Sequence, residues 1–255
     1  GKLAETFPLK LEDTPSYHAY PGGPKMVAYR ESLYVGYRFY DTVDKDVLFP
    51  FGHGLSYTQF DYSGLQVSAD SLSGKESLTI KLTIKNTGEV AGMEVVQVYV
   101  HPESPTAFRP EAELQGFTKV ALEPGEAKQV TLELPPRAFA FFNTALKDWQ
   151  VEAGRYEIRV GSSSRDIRLR GSVTIIQTTP DAVIPERDQL PAYKNVSADA
   201  KFPLDEFEKL LGRPLPSNVY LRDAVFDINT PIADMQRSFV ARRLSKTMSK
   251  QVEQL

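Results

Sequence analysis

Strict alternation of apolar and polar residues constrains this chain more than any other feature. In SLTIKLTIKN, residues 77–86, Leu78, Ile80, Leu82 and Ile84 fall on one side of an extended backbone, while Thr79, Lys81, Thr83 and Lys85 fall on the other. A period of two is what a strand buried on one face requires, because successive side chains point to opposite faces. A helix would scatter the same residues around its circumference. Further strand segments are VVQVYV (95–100), LQGFTKV (114–120), KQVTLEL (128–134), RYEIRVG (155–161) and DIRLRGSVTI (166–175), with NTGEVAG, EPGE and EAGR among the turns. About seven short strands over roughly 110 residues is the sequence sign of an antiparallel sandwich of immunoglobulin or fibronectin III type. The expected fold is mainly β, the sandwich spans 61–176, and no helical pattern interrupts it.

The flanks read differently. Residues 1–60 have few long apolar repeats and many Tyr, Pro and Gly, as in PSYHAYPGGPKMVAY, so they are expected to pack against something else. ESLYVGYRFY (31–40) predicts a short strand, with Leu33, Val35, Tyr37 and Phe39 alternating. Residues 177–255 open on a Pro-, Asp- and Ala-rich stretch that reads as a linker or a strap over the surface. A helix is predicted over PLDEFEKLLG, with acids in its first turn, Gly212 as its stop and Pro214 beyond. A second helix is predicted from Thr230 with Pro231 in its first position. It would carry Ile232, Met235, Phe239, Val240, Leu244, Met248 and Val252 on one side, a face that needs a partner and could support a homodimer.

Charge and composition exclude several function classes. The chain has 30 Lys and Arg against 33 Asp and Glu, and the only dense basic cluster is RRLSK near the end, so no nucleic-acid partner is expected. Without cysteine there is no disulfide, no Cys-ligated zinc and no thiol nucleophile. That suits a reducing compartment, and a cytoplasmic location is the expectation, although a cysteine-free exported protein would look the same. No apolar run approaches the roughly 18 residues that span a membrane, so no membrane partner is expected either. The sequence starts at Gly1 without Met, and the expectation is that an upstream segment, with any signal peptide, lies outside it.

No reactive constellation emerges from the motifs. His18, His53 and His101 are far apart in sequence and lack metal-ligand spacing, so His53 reads as a ring filling a turn; no metal and no cofactor are expected. There is no GxSxG, no GxxxxGK[ST] and no GxGxxG, and GSSSR from Gly161 reads as a strand-end turn. Glycoside hydrolysis needs two carboxylates across the scissile bond. The clustered acids are Glu12 with Asp13, Asp41 with Asp44, and Asp44 with Asp46. Their polar, turn-like contexts read as solvated loop acids, so no catalytic residue is assigned. Tyr29, Tyr34, Tyr37, Phe39, Tyr40, Phe49, Phe51 and Tyr57 could stack on sugar rings, but packing between domains is the preferred reading.

Six segments in order carry a resemblance: GKLAETFP, YVGYRFYD, LFPFGHGLSYTQF, KNTGEVAGMEVVQVYV, ELQGFTKVALEPGE and GRYEIRVGSSSRDIRL. Together they resemble the C-terminal part of a glycoside hydrolase family 3 enzyme of the bacterial β-glucosidase group, over residues 1 to 176. The resemblance implies that residues 1–60 hold the tail of an α/β sandwich domain and the crossing out of it. It further implies that 61–176 are the fibronectin type III-like domain, and that 177–255 resemble an extension found in some Gram-positive members. It also implies retaining hydrolysis of terminal β-glucosides or oligosaccharides by the complete enzyme. The nucleophilic Asp and acid/base Glu would sit in catalytic domains upstream, so this fragment would be inactive alone and its partners would be those domains. Glycines and proline in LFPFGHGLSYTQF would then turn the chain sharply while its aromatics anchor the crossing. The rival reading is a non-catalytic carbohydrate- or protein-binding sandwich, which would need an exposed aromatic platform. Most aromatics of the sandwich segment fall on apolar strand faces or in RAFAFFNTALKDW, and no platform is evident in the sequence.

Overall fold

A computed structural model describes residues 1–23, 25–184, 189–218, 235 and 238–252. Two compact units result. One combines Gly1–His18 with Tyr29–Arg213, the other Ala19–Ala28 with Pro214–Leu255.

The first unit opens with strand β1 (Phe7–Pro8), helix α1 (Tyr37–Thr42) and strand β2 (Val47–Phe49), β1 pairing antiparallel with β2. Ten strands follow: β3 (Phe60–Val67), β4 (Ser71–Leu72), β5 (Leu78–Asn86), β6 (Gly92–Pro102), β7 (Glu113–Leu122), β8 (Ala127–Leu134), β9 (Ala140–Asn143), β10 (Asp148–Val151), β11 (Gly154–Gly161) and β12 (Ile167–Ile175). They form a five-stranded sheet in the order β4-β12-β11-β6-β7, a three-stranded sheet β3-β5-β8 and a separate β9–β10 hairpin. All pairings are antiparallel except β12 with β4.

Alternation sets the core. Leu78, Ile80, Leu82 and Ile84 of β5 and Val130 and Leu134 of β8 face Val96, Val98 and Val100 of β6, Tyr156, Ile158 and Val160 of β11, and Val173 and Ile175 of β12. The Tyr156 hydroxyl donates to the carbonyl of Glu152 at 2.9 Å. A Tyr bonded to backbone just upstream at the start of a strand is the tyrosine corner of immunoglobulin-like sandwiches. It pins the entry to β11.

Two local expectations are corrected. Residues 31–40 are not a strand: Gly36 at φ 57 interrupts the extended run, and α1 begins at Tyr37. The buried apolar residues there are Tyr34, Phe39 and Tyr40, joined by Glu31, whereas Leu33 and Val35 of the alternating set are exposed. A false period of two arose because Tyr and Phe occupy both sides of the segment. The stretch beyond Gln177 is also more than a linker. Helix α2 (Pro191–Lys194) lies within it, ahead of helix α3 (Leu204–Leu211), and Leu190, Tyr193 and Phe202 are buried in a second core with Tyr34, Phe39, Tyr40 and Phe108.

α3 coincides with the helix predicted over PLDEFEKLLG. Asp205 and Glu206 occupy its first turn, and Gly212 ends it at φ 73, in the left-handed region that glycine enters without strain. In the second unit, Asn218 Oδ1 accepts from the backbone N–H groups of Lys25 and Met26, both at 3.0 Å. Helix α4 (Phe239–Val252) is also there, with Phe239, Val240, Leu244 and Met248 exposed. The predicted start of that helix, at Thr230, Pro231 and Ile232, lies outside the described residues.

Candidate functional site

β6 is buried on both faces. Val96, Val98 and Val100 point into the sandwich, while Gln97 and Tyr99 on the opposite face are 3% and 1% exposed. The cover over that second face is the crossing, residues 48–60, together with α1. Tyr37 of α1 stacks on Phe51 at 4.6 Å and meets Tyr99 edge-on at 6.1 Å. The Tyr37 hydroxyl accepts from the N–H of Leu114, at the edge strand β7.

Two buried amides bolt the crossing down. Gln97 donates through Nε2 to the carbonyls of Ser162 (2.6 Å) and Gly52 (3.4 Å), and its Oε1 accepts from the Tyr99 hydroxyl at 2.6 Å. Gly52 sits at φ +80, and a Cβ there would lie 2.2 Å from Gln97 Oε1, so glycine is required on both counts. The second bolt is Asn86, fully buried. It donates to the carbonyls of Val90 and Leu122 and accepts from the Thr58 hydroxyl (2.6 Å) and the Gly88 N–H (3.0 Å). A Cβ on Gly88 would meet Thr58 Oγ1 at 2.3 Å. Thus the glycines of LFPFGHGLSYTQF and NTGEVAG let two loops close on buried amides, each able to satisfy several backbone groups at once.

The segment GSSSR is the buckle. It joins β11 to β12, and the Ser164 N–H donates to the carbonyl of Phe51 at 2.9 Å. Arg165 reaches α1, pairing with Asp41 at 2.7 Å and donating to the carbonyls of Tyr40 and Lys45. On the N-terminal side, Leu3 N–H donates to the carbonyl of His53, and Gly52 N–H to that of Leu3, both at 2.8 Å. An apolar groove of about 260 Å³ remains open beside the crossing, lined by Leu3, Phe51, Val95, Leu114 and Phe117 among others. Burial raises the pKa of both Tyr37 and Tyr99, so these phenols stay neutral donors and acceptors.

The residues singled out from sequence occupy defined places. The His53 ring stacks on Phe49 at 5.1 Å, His18 meets Tyr17 edge-on, and His101 Nδ1 sits against the backbone carbonyl and carboxylate of Glu111. Among the described residues no three His, Cys, Asp or Glu gather to hold a metal. Asp13 and Asp41 are not the solvated loop acids the sequence suggested: Asp13 is 8% exposed and paired with Lys45 at 3.1 Å, and Asp41 is held by Arg165. The cations come from elsewhere in the chain, Lys45 from just beyond α1 and Arg165 from GSSSR. Of the aromatic set, Tyr34, Phe39 and Tyr40 are buried and Tyr37, Phe49 and Phe51 are stacked, whereas Tyr29 and Tyr57 are exposed. Sequence reasoning missed Asn86, Gln97 and Arg165. The one available signal was Gln97, a polar residue inside the apolar run VVQVYV, where a strand buried on both faces would be expected to read as continuously apolar.

Comparisons with known proteins agree with this architecture. A fibronectin type III-like domain model matches residues 94–164. The chain is 52% identical over 178 residues to thermostable beta-glucosidase B of Acetivibrio thermocellus, covering 70% of this chain and 24% of that protein. It is 48% identical to an exo-alpha-(1->6)-L-arabinopyranosidase of Bifidobacterium breve, covering 66% and 22%. The solved GH3 beta-glucosidase of Bifidobacterium adolescentis superposes with a TM-score of 0.68 at 40% identity, covering 83% of this chain and 30% of that one. The chain therefore spans about a quarter of the length of the curated relatives it matches. It belongs to glycoside hydrolase family 3, as a C-terminal region that contains the fibronectin type III-like domain.

Proposed function

We propose that this chain is the structural, non-catalytic portion of a retaining β-glucosidase-like hydrolase and braces the catalytic domains of the same enzyme. The observation that carries this reading is the crossing laid over the buried outer face of β6 and bolted by Gln97 and Asn86. Such a joint transmits force because the buried amides of Gln97 and Asn86 are satisfied within it and its aromatic contacts are fixed. The complete enzyme would supply two carboxylates and a covalent glycosyl intermediate to cleave terminal β-glucosides or oligosaccharides, with no organic cofactor. Relatives named as a glucosidase and as an arabinopyranosidase share this region, so sugar choice is set elsewhere. Residues 1–255 should release no nitrophenol from aryl β-glucosides, while the parent enzyme should lose thermal stability on Gly52→Val. Turnover by the fragment, abolished by an Asp or Glu substitution within it, would overturn the reading.

Three finer points belong to the same proposal. A bacterial source is supported by the 52% identical relative, although fungal relatives reach 44%. Dimerisation through the exposed Val240, Leu244 and Met248 of α4 is supported by that unpartnered face, and sedimentation of the parent enzyme with and without Leu244→Glu tests it. A cytoplasmic location is tested by cell fractionation.

One observation favours a second reading, a carbohydrate- or protein-binding module. Contrary to the expectation from RAFAFFNTALKDW, Phe142 and Trp149 form an exposed cross-strand pair on the β9–β10 hairpin, 5.4 Å apart, with the Arg137 guanidinium over the Trp149 ring. Calorimetric titration with cello-oligosaccharides, with and without Trp149→Ala, separates the two readings.

A further inference from the structure

The first unit contains two cores with no residue in common. The larger belongs to the sandwich. The smaller joins Tyr34, Phe39, Tyr40 and Phe108 to Leu190, Tyr193 and Phe202, which come from far along the chain. Its rings are closely set: Tyr34 stacks with Phe108 and Phe202 at 6.0 and 6.1 Å, Phe108 with Tyr193 at 5.5 Å, and Tyr193 lies 5.3 Å from Phe202. We propose that residues 189–213 are a releasable clasp that holds α1 against the sandwich, and that their undocking is a local event which loosens α1 and the crossing while the sandwich stays folded.

Three features carry the proposal. First, α1 has six residues, and a helix that short has no stability of its own in water. It is held from two sides. On the sandwich side Tyr37, Thr42, Asp41 and Arg38 meet Leu114, Glu111, Arg165 and Glu113. On the clasp side Phe39 meets Phe202 edge-on at 6.5 Å. Second, the clasp is fastened by side chains. The Tyr34 hydroxyl donates to the carbonyl of Tyr193 and the Tyr193 hydroxyl to that of Arg30, both at 2.7 Å, and Lys45 Nζ donates to the carbonyl of Ala198 at 3.0 Å. Among the described residues no strand pairing joins 189–213 to the sandwich. Contacts of this kind open as a unit at a lower free energy than a paired sheet. Third, the clasp is internally tied: the Ala192 N–H donates to Glu206 Oε2 at 2.9 Å, linking α2 to α3. It can leave and return as one piece.

Lys45 extends the device. Its ammonium bridges Ala198 of the clasp and Asp13 of the N-terminal segment, so the clasp engages three stretches of the joint. Resting on the bracing role proposed above, the clasp would set how stiff that brace is. Release would let α1, and with it the approach to the crossing, move against the sandwich.

Hydrogen exchange on the 255-residue chain tests this without reference to sugar chemistry, so its failure is distinguishable from failure of the bracing role, which is read from the parent enzyme's stability. Phe202→Ala should accelerate exchange of the Tyr40, Val43 and Lys45 amides by about a hundredfold to a thousandfold, as expected for truncating a buried Phe, and leave the β5 and β6 amides unchanged. Tyr193→Phe keeps the ring and removes one hydrogen bond, so it should fold normally and accelerate the same amides by about fivefold. Acceleration of β5 and β6 in step with α1 in either variant would show a single cooperative unit and overturn the proposal. Unchanged α1 exchange in Phe202→Ala would do the same.

Discussion

Replacing Gly52 with alanine tests the joint at its tightest point. The new Cβ would lie 2.2 Å from Gln97 Oε1, 2.7 Å from Nε2 and 2.8 Å from Cδ, at a residue whose φ is +80. The left-handed backbone alone costs an L-residue about 1–2 kcal/mol. Gln97 cannot step aside freely, because its amide is bonded to Ser162 and Tyr99 at 2.6 Å each. Moving it strands buried polar groups at about 1–3 kcal/mol. The sum is about 2–5 kcal/mol. Gly125→Ala is the control: its φ is +75, but nothing lies within 4 Å of its Cβ, so only the backbone cost applies. In a chain of this size each kcal/mol lowers Tm by about 2–4 °C. Calorimetry should therefore place Gly52→Ala about 2–12 °C below Gly125→Ala. Adding Gln97→Ala to Gly52→Ala should cost less than the two single losses combined, because the clash is then gone. Equal melting of the two glycine variants, or simple additivity with Gln97→Ala, would refute the account of the crossing.

Further outcomes follow from the same contacts. Asn86→Ala leaves the Val90 and Leu122 carbonyls, the Gly88 N–H and the Thr58 hydroxyl without their partner, and urea denaturation should show a loss of about 3 kcal/mol; a loss under about 1 kcal/mol would mean that water replaces the amide. Burial pushes the Tyr62, Tyr99 and Tyr193 phenols well up and that of Tyr156 up to about 12. Their neutral forms contribute stability that is intact below the ordinary tyrosine value of about 10 and is lost progressively as pH rises from there through the raised values of the folded chain. The denaturation midpoint should fall above that pH, and less steeply in Tyr156→Phe. Hydrogen bonds from the Arg168 guanidinium hold the Asp166 carboxyl below its usual range. That contribution is present above about pH 4 and disappears as pH falls further. Arg168→Met should flatten the acid limb of a stability–pH curve, and an unchanged limb would remove the pair from the account.

The sandwich was legible because one-sided burial writes itself as alternation. Leu78 to Ile84 follow the rule residue by residue, and turn residues mark where strands end. The α3 helix was legible for a similar reason, since acids, apolar residues and a terminal glycine each mark a position. The joint was not. Gln97 and Asn86 gain their role from partners 45 and 36 residues away, Gly52 and Leu122, and Arg165 from Asp41, 124 residues earlier. No local period encodes such pairings. Aromatic crowding misled in 31–40, where rings serve the sandwich, the crossing and the second core from one short segment, so that burial on several sides imitated a strand. Family resemblance supplied the role of LFPFGHGLSYTQF, and the geometry supplied the reason for its glycines.

The second core also fixes an order of events during synthesis. Tyr34 and Tyr193 are 159 residues apart, and at typical elongation rates the ribosome needs roughly 10–30 s to travel between them. For that interval Tyr34, Phe39 and Tyr40 have emerged while half of their enclosure does not yet exist. Until it arrives, sticky rings wait in the open, and a cell making this protein must shield them or make it slowly enough that neighbouring chains do not meet.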